Sequence, residues 1–181
     1  MKFVVARHCR TYYNARGWIQ GLKDIPLDAI GKSQAAQLAE DVREHNIATI
    51  YSSDLLRAKE TASIVGATVG ALTLTSVSLR ECDFGTLDGL SFVEFVFRCG
   101  WKNLPFAKYA LDADFTRFGG DRGVDLFARQ KQFLDDCKTC FDDGRTIMIV
   151  GHARSLRTLL APLGHPTDWL RKQGSHIVIE Y

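Results

Sequence analysis

The chain has 181 residues, a length that predicts one domain with room for a small inserted segment. Apolar residues make up 46% and charged residues 24%, which is typical of a globular protein and excludes a disordered, collagen-like or membrane chain. The formal charge of +2 gives no general reason to bind nucleic acid or an anionic membrane, so positive charge used in function must be local.

No apolar run approaches the roughly 18 to 20 residues that a membrane span needs, and the start of the chain is too weakly apolar for a secretory signal. We therefore expect a cytoplasmic protein. Its five cysteines are odd in number and scattered, which predicts reduced thiols. Cys137 and Cys140 form a C-x-x-C, but a structural zinc site needs four ligands, and no second Cys/His pair lies near them. We expect no metal.

Five short runs, most of them rich in β-branched residues, predict strands at 2–6, 48–52, 72–79, 146–150 and 176–181. Apolar residues recur at helical spacing between these runs, in one stretch after Gly31-Lys32-Ser33, one after Ser53-Asp54 and one from Leu126 to Phe141. This alternation predicts an α/β fold, a three-layer α/β/α sandwich around a mostly parallel central sheet.

Two segments are less regular. Residues 10–30 resemble a loop, and residues 82–120 combine many aromatic residues with a few cations. We interpret 82–120 as a small helical lid inserted over the sheet edge, within a single domain of residues 1–181. Its aromatic residues are expected to pack the lid, since no basic stripe accompanies them as in a base-stacking surface.

Charged side chains follow the predicted strands. The first strand runs into Arg7-His8 and a later one into Gly151-His152, while Arg57 falls in the first turn of the helix after another strand. In open α/β sheets, ligands bind beyond the carboxyl ends of the strands. Two arginines and two histidines at this edge therefore predict a site for an oxyanion.

A phosphate monoester fits this group of side chains. Each guanidinium offers a planar fork of donors that matches two phosphate oxygens, and fixed cations stabilise the charge of phosphoryl transfer. A neutral imidazole can attack phosphorus, and an ordinary pKa of about 6.5 keeps part of the imidazole neutral at physiological pH. Neighbouring arginines lower that pKa further.

Several motifs follow one another along most of the chain. They are Arg7-His8-Cys9-Arg10-Thr11 with Asn14 and Gln20-Gly21; Tyr51-Ser52-Ser53-Asp54 with Arg57; Leu79-Arg80-Glu81 with Phe84-Gly85 and Asp88-Gly89; Gly119-Gly120-Asp121; and Val150-Gly151-His152. In this order they resemble the histidine phosphatase superfamily, also called phosphoglycerate-mutase-like.

The resemblance implies that His8 is the phosphorylated nucleophile and that Glu81 protonates the departing alkoxide. It also implies a metal-independent enzyme with no cofactor, acting on a small phosphate ester. The other predicted site residues bind the phosphate: Arg7, Asn14, Gln20, Gly21, Arg57, His152 and the backbone N–H of Ala153. Of these, Arg7, Arg57 and His152 are also predicted to be catalytic.

The chain departs from the family pattern at Cys9, where a glycine is familiar, and at Arg10, where an acid is familiar. A cysteine adds a Cβ and a thiol beside the nucleophile, which puts catalytic efficiency in doubt. Arg10 either strengthens phosphate binding or faces solvent. Ala153 and Asp121 are milder changes, in place of glycine and glutamate.

Each residue also has a simpler interpretation. Arg7 and Arg57 suit surface ion pairs, Glu81 suits a solvated position, and Asn14 suits a turn or helix cap as well as a phosphate contact.

Three functions remain open. The favoured one is a phosphomonoesterase that hydrolyses a small phosphorylated metabolite through a phosphohistidine intermediate. The alternatives are a mutase of the phosphoglycerate mutase type and a weakly active phosphate-binding regulatory module, the latter because of Cys9. A protein-phosphohistidine phosphatase is a variant of the first. The sequence does not define the ester or the oligomeric state.

Overall fold

The computed structural model describes residues 1–100, 110–141 and 144–181. Residues 101–109 of the predicted lid lie outside the described residues, among them the aromatic and basic residues Trp101, Lys102, Phe106, Lys108 and Tyr109. Asp142 and Asp143, before which the third long helix is expected to end, lie outside them as well.

Five strands form one sheet in the described part of the chain: β1 Lys2–Arg7, β2 Ile47–Ser53, β3 Leu72–Ser76, β4 Thr146–Gly151 and β5 His176–Glu180. Their order is β3-β2-β4-β1-β5. Every neighbouring pair is parallel except β1 and β5. All five predicted strands are confirmed, although the third is shorter than predicted because Val77–Leu79 turn into a 3₁₀ helix.

The described α-helices are α1 Tyr12–Arg16, α2 Ala29–Val42, α3 Leu56–Val69, α4 Phe92–Cys99, α5 Gly123–Cys140 and α6 Ala153–Leu160. Short 3₁₀ segments lie at Arg43–His45, Val77–Leu79, Gly85–Leu87, Ala110–Asp112, Thr116–Phe118 and Asp168–Arg171. None of the helices in the described residues combines the length and apolar character that crossing a membrane requires.

Each side of the sheet carries its own apolar core, because successive strand residues point to opposite faces. Val4 and Ala6 of β1 pack with residues of α2 and α3, such as Leu38. Phe3 and Val5 pack on the other face with residues of α5 and α6. The predicted three-layer sandwich is confirmed.

A third apolar cluster lies in the described parts of residues 82–120 and extends to Leu126 of α5. The rings of Phe84 and Phe115 meet edge to face at 4.9 Å, and those of Phe84 and Phe95 at 5.3 Å. Such pairs stabilise beyond their buried area. The segment therefore has a core of its own, and its action as a lid stays a prediction.

The parallel pairing of β1 with β4 sets the position of the site. Arg7 pairs with Gly151 in the strand register, and the His8 N–H donates to the Gly151 carbonyl at 2.9 Å. The residues that leave these two strands, His8 and His152, therefore start from adjacent points on one edge of the sheet.

Candidate active site

His8 is almost completely buried, and its ring orientation is fixed by one hydrogen bond. Nδ1 lies 2.7 Å from the Cys9 carbonyl oxygen. Because a carbonyl only accepts, Nδ1 carries the proton and Nε2 keeps its lone pair. Burial, then Arg57 and Arg7, holds the pKa of His8 well below its ordinary value. The imidazole is therefore neutral at physiological pH.

His152 precedes α6 and lies against His8, with 5.1 Å between the ring centroids. Arg57 Nε donates to His152 Nδ1 at 3.1 Å. An arginine only donates, so the proton of His152 sits on Nε2, which is buried and has no hydrogen-bond partner among the described residues. Burial, then Arg57 and His8, lowers the pKa of His152 as well. His152 thus presents an unused N–H next to the candidate nucleophile.

Arg57 is completely buried in the first turn of α3. Its Nη1 donates to the Lys23 carbonyl and its Nη2 to the Gly21 carbonyl, both at 2.8 Å. Burial lowers its pKa to about 10, so it stays charged at neutral pH. The surface ion pair considered as an alternative is wrong for this residue.

Arg7 is held in a similar way. Its Nη1 donates to the carbonyls of Leu170 and Arg171, at 2.6 and 3.1 Å, while its buried Nε has no partner among the described residues. Burial lowers the pKa of Arg7 to about 10. Arg7 is therefore a second fixed cation, also unlike a surface arginine.

Glu81 is only 8% exposed, so the solvated alternative is wrong. Its Oε1 accepts from the N–H groups of Cys82 and Ser155, at 2.9 and 2.7 Å, and its Oε2 accepts from the Arg154 N–H at 3.2 Å. Two of these donors belong to the first turn of α6, where the helix dipole favours a carboxylate. These contacts fix the orientation of the Glu81 carboxyl group.

These side chains surround a cavity of about 560 Å³. Among the predicted site residues, those that line it are Arg7, His8, Asn14, Gln20, Gly21, Arg57, Glu81 and Ala153. His152 is not a lining residue, but it contacts His8 and Arg57. A cavity of this size is typical of a small-molecule site.

Thr11 is hydrogen-bonded to two residues that line the cavity, Asn14 and Gln20. The Asn14 Oδ1 accepts from the Thr11 N–H at 3.1 Å, and the Asn14 N–H donates to the Thr11 Oγ1 at 3.2 Å, which is a capping box for α1. Gln20 Oε1 lies 3.0 Å from the same Thr11 Oγ1. Asn14 therefore caps a helix and also lines the cavity, so its two interpretations coexist.

Gly21 cannot be replaced without strain. It has a φ of +49°, and a Cβ there would overlap the carboxylate of Asp88. Asp88 Oδ2 accepts from the Leu22 N–H at 2.9 Å, and its buried Oδ1 has no partner among the described residues. Asp88 was not predicted as a site residue, although it supports the loop whose carbonyls hold Arg57.

Residues 3–176 match the family model of the histidine phosphatase superfamily, branch 1. The chain belongs to this superfamily. It is 34% identical over 166 residues to phosphoglycerate mutase-like protein 4 of Arabidopsis thaliana, covering 87% of this chain and 69% of that one. It is 30% identical over 174 residues to the glucosyl-3-phosphoglycerate phosphatase of Mycolicibacterium vanbaalenii, covering 92% and 76%.

The fold of this histidine phosphatase is similar to that of solved relatives. The structure of mycobacterial glucosyl-3-phosphoglycerate phosphatase with VO3 superposes with a TM-score of 0.85 at 26% identity, covering 99% of this chain and 92% of that one. Phosphatases among the relatives support a phosphatase activity for this chain.

Cys9 and Arg10, the two main departures from the family pattern, do not line the cavity. Cys9 is buried, its N–H donates to Thr61 Oγ1 at 3.1 Å, and burial raises the pKa of its thiol to about 11. Arg10 forms an ion pair with Asp28, with 2.9 Å between Nε and Oδ2, and does not line the cavity. Of the two roles considered for Arg10, added phosphate binding is thus not supported.

Three further arginines line the cavity and were missed by the sequence analysis: Arg154, Arg157 and Arg171. A sequence signal existed for two of them, since residues 154 and 157 stand three apart after His152 and share one face of a helix. Arg171 gave no such signal, because it follows an irregular segment.

Cys137 is buried, Cys140 is exposed, and both are free thiols. No group of three or more His, Cys, Asp or Glu side chains is placed to hold a metal ion within residues 1–100, 110–141 and 144–181.

Proposed function

We propose that this histidine phosphatase hydrolyses a small phosphate monoester through a covalent phosphohistidine on His8, using neither metal nor cofactor. The observation that carries the proposal is the bond between His8 Nδ1 and the Cys9 carbonyl, which leaves the Nε2 lone pair available beside two buried arginines. A neutral imidazole so placed is a competent nucleophile toward phosphorus.

In the first step, His8 Nε2 forms a bond to phosphorus and the ester P–O bond breaks. The Glu81 carboxyl group gives a proton to the departing alkoxide and becomes a carboxylate. The negative charge on the oxygens of the transferring phosphoryl group is stabilised by Arg7, Arg57 and the Nε2–H of His152. These three groups are already held in position: backbone carbonyls accept from Arg7 and Arg57, and Arg57 donates to His152.

In the second step, water attacks the phosphohistidine and the P–N bond breaks. Glu81, now a carboxylate, takes the proton of that water, and His8 returns to its neutral form. Inorganic phosphate leaves the cavity, and the site is restored with atoms and charge balanced.

The experiment is phosphate release from p-nitrophenyl phosphate and from a panel of phosphorylated metabolites. We expect acid-labile phosphate on the wild-type protein during turnover and none on His8→Ala, whose activity falls to background. His45→Ala is the matched control, since His45 lies outside the cavity lining. Normal turnover by His8→Ala would overturn the proposal, and isomerisation of a phosphoglycerate faster than its hydrolysis would favour the mutase.

A further inference from the structure

We propose that Arg154, Arg157 and Arg171 form a second anion site in the same cavity, so that the substrate is a phosphomonoester carrying another anionic group. This inference rests on the proposed function, because it takes Arg7 and Arg57 as the residues that bind the phosphoryl group. It assigns the three arginines to substrate selection and leaves the chemical steps unchanged.

Two of these arginines are buried where arginine is rarely found. Arg154 is 2% exposed and Arg157 is 8% exposed, and both line the cavity together with Arg171 at its outer side. The Arg157 Nη2 donates to the Thr167 carbonyl at 3.2 Å, and the Arg154 guanidinium lies 5.9 Å from the Phe115 ring centroid. Their side chains therefore have fixed positions and are not surface cations folded over the protein.

The three cations act on one another. Arg154 and Arg171 each lower the pKa of Arg157, and Arg157 lowers the pKa of Arg7, in each case as a smaller contribution than burial. Two acids raise the pKa of Arg157 and so oppose this lowering: Asp168, which is exposed, and Glu81, which is buried. The positive charge thus continues from the phosphate pocket along the first turns of α6.

A count of charges shows an excess that one phosphate does not balance. Five arginines line the cavity, and Glu81 is the only acid among the lining residues that the structure describes. With both histidines neutral, the lining carries a net charge of +4 when Glu81 is ionised, whereas a phosphate monoester dianion carries −2. Outside the lining, Asp24 and Asp88 offset part of this charge at Arg57, and Asp168 does so at Arg157. Guanidinium groups held close together repel one another, and a second anion between them reduces this repulsion.

The shape of the cavity agrees with a bifunctional ligand. Its volume of about 560 Å³ exceeds what a phosphoryl group alone would fill, and Trp18, Ile19 and Phe92 supply an apolar wall. A short carbon skeleton can lie against this wall while its two ends contact the two groups of arginines. Guanidinium forks bind carboxylates and phosphates with the same bidentate geometry, so the shared chemistry is a second oxyanion.

The test compares matched esters. One pair is 3-phosphoglycerate and glycerol 3-phosphate, which differ by a carboxylate in place of a hydroxymethyl group. The other pair is fructose 1,6-bisphosphate and fructose 6-phosphate, which differ by a second phosphate. In at least one pair, we expect the wild-type protein to favour the ester with the additional anionic group by about tenfold or more in kcat/KM. The pair that shows this preference identifies the second anion as a carboxylate or a phosphate.

Arg154→Gln and Arg171→Gln should abolish this preference by raising the KM of the favoured ester, while kcat/KM for its partner changes little. Both variants are needed because Arg154 is buried and its replacement can prevent folding. Arg171 is exposed, so Arg171→Gln should fold normally and keeps the proposal testable. Lys172→Gln is the matched control, an exposed neighbour of Arg171 that does not line the cavity.

Hydrolysis of both members of each pair at equal efficiency would overturn the second anion site while leaving the phosphatase proposal standing. Equal losses toward both members of the favoured pair in the arginine variants would overturn it as well, since the arginines would then serve the phosphoryl group or the fold. Failure of the wild-type protein to release phosphate from any ester, p-nitrophenyl phosphate included, would overturn both proposals.

Discussion

Cys9 and Gly174 pack against each other beside His8, the proposed nucleophile. A Cβ on Gly174 would lie 3.1 Å from the Cys9 Sγ, a contact tighter than most, so the thiol leaves little room for a side chain there. The Gly174 N–H also donates to the His8 carbonyl at 3.4 Å. The Cys9 thiol is therefore packed against the backbone of Gly174.

Gly174→Ala should destabilise the fold by about 2 kcal/mol, because it adds both an overpacked methyl group and backbone strain at a φ of +70°. Gly164→Ala isolates the strain, since Gly164 has a φ of +81° and open space around its Cβ position, and we expect about 1 kcal/mol there. Urea denaturation measures both. Adding Cys9→Gly to Gly174→Ala should recover the part of the stability loss that exceeds the loss in Gly164→Ala. Equal losses in Gly174→Ala and Gly164→Ala would show that the Cys9 thiol moves aside without cost.

The two buried histidines should make stability depend on acid pH. Burial lowers the pKa of His8 and of His152, so below about pH 6.5 the unfolded chain binds more protons at these positions than the native chain. The free energy of unfolding therefore falls as the pH drops below 6.5, by up to about 1.4 kcal/mol per pH unit for each histidine. Denaturation curves between pH 5 and 7 should show a smaller slope for His152→Gln than for His45→Ala. Parallel slopes in the two variants would contradict this assignment.

At the scale of elements, regular periodicity predicted the five strands and the three long helices, whereas the short helix α1 was missed and α4 was predicted only as part of a helical lid, without bounds. Both are defined by their caps. Ser91 and Glu94 form a capping box before an apolar run, a signal that the sequence does contain. In α1 the same arrangement uses Asn14, so the loop-like composition of residues 10–30 concealed it.

The loop of residues 21–23 is the element through which Asp88 acts on Arg57. Asp88→Ala removes the acceptor of the Leu22 N–H, so the two carbonyls that hold Arg57 lose their fixed positions. We expect kcat toward p-nitrophenyl phosphate to fall about tenfold, the effect of displaced positioning groups. Asp88→Asn keeps an acceptor for Leu22 and should restore most of the activity. Asp41→Ala, an exposed substitution on α2, serves as the control, and a loss in Asp88→Asn as large as in Asp88→Ala would refute the positioning role.

At the scale of the whole molecule, the location of the site followed from topology, because parallel strands bring Arg7, His8 and His152 to one edge of the sheet. The partners that fix these residues could not be predicted from the sequence. Arg7 is held by carbonyls 163 and 164 positions away, and Glu81 by N–H groups 73 and 74 positions away. Such contacts depend on the packing of irregular segments, which has no periodic signature.

Glu81 joins two distant parts of the chain and is also the proposed proton donor, and two substitutions separate these roles. Glu81→Gln keeps one oxygen for the N–H groups of Cys82 and Ser155 and loses the acceptor of the Arg154 N–H, so it should cost less stability than Glu81→Ala. Its kcat toward an alkyl phosphate should fall by about 10² to 10⁴, the usual contribution of general acid catalysis. Glu81→Ala also leaves three N–H groups without their acceptor, which should cost about 2 kcal/mol of folding stability.

Because p-nitrophenolate leaves without being protonated, the first step with p-nitrophenyl phosphate should be less impaired in Glu81→Gln than the first step with an alkyl ester. Single-turnover rates of phosphoenzyme formation measure this difference, and equal impairment with both esters would show that Glu81 positions α6 and transfers no proton.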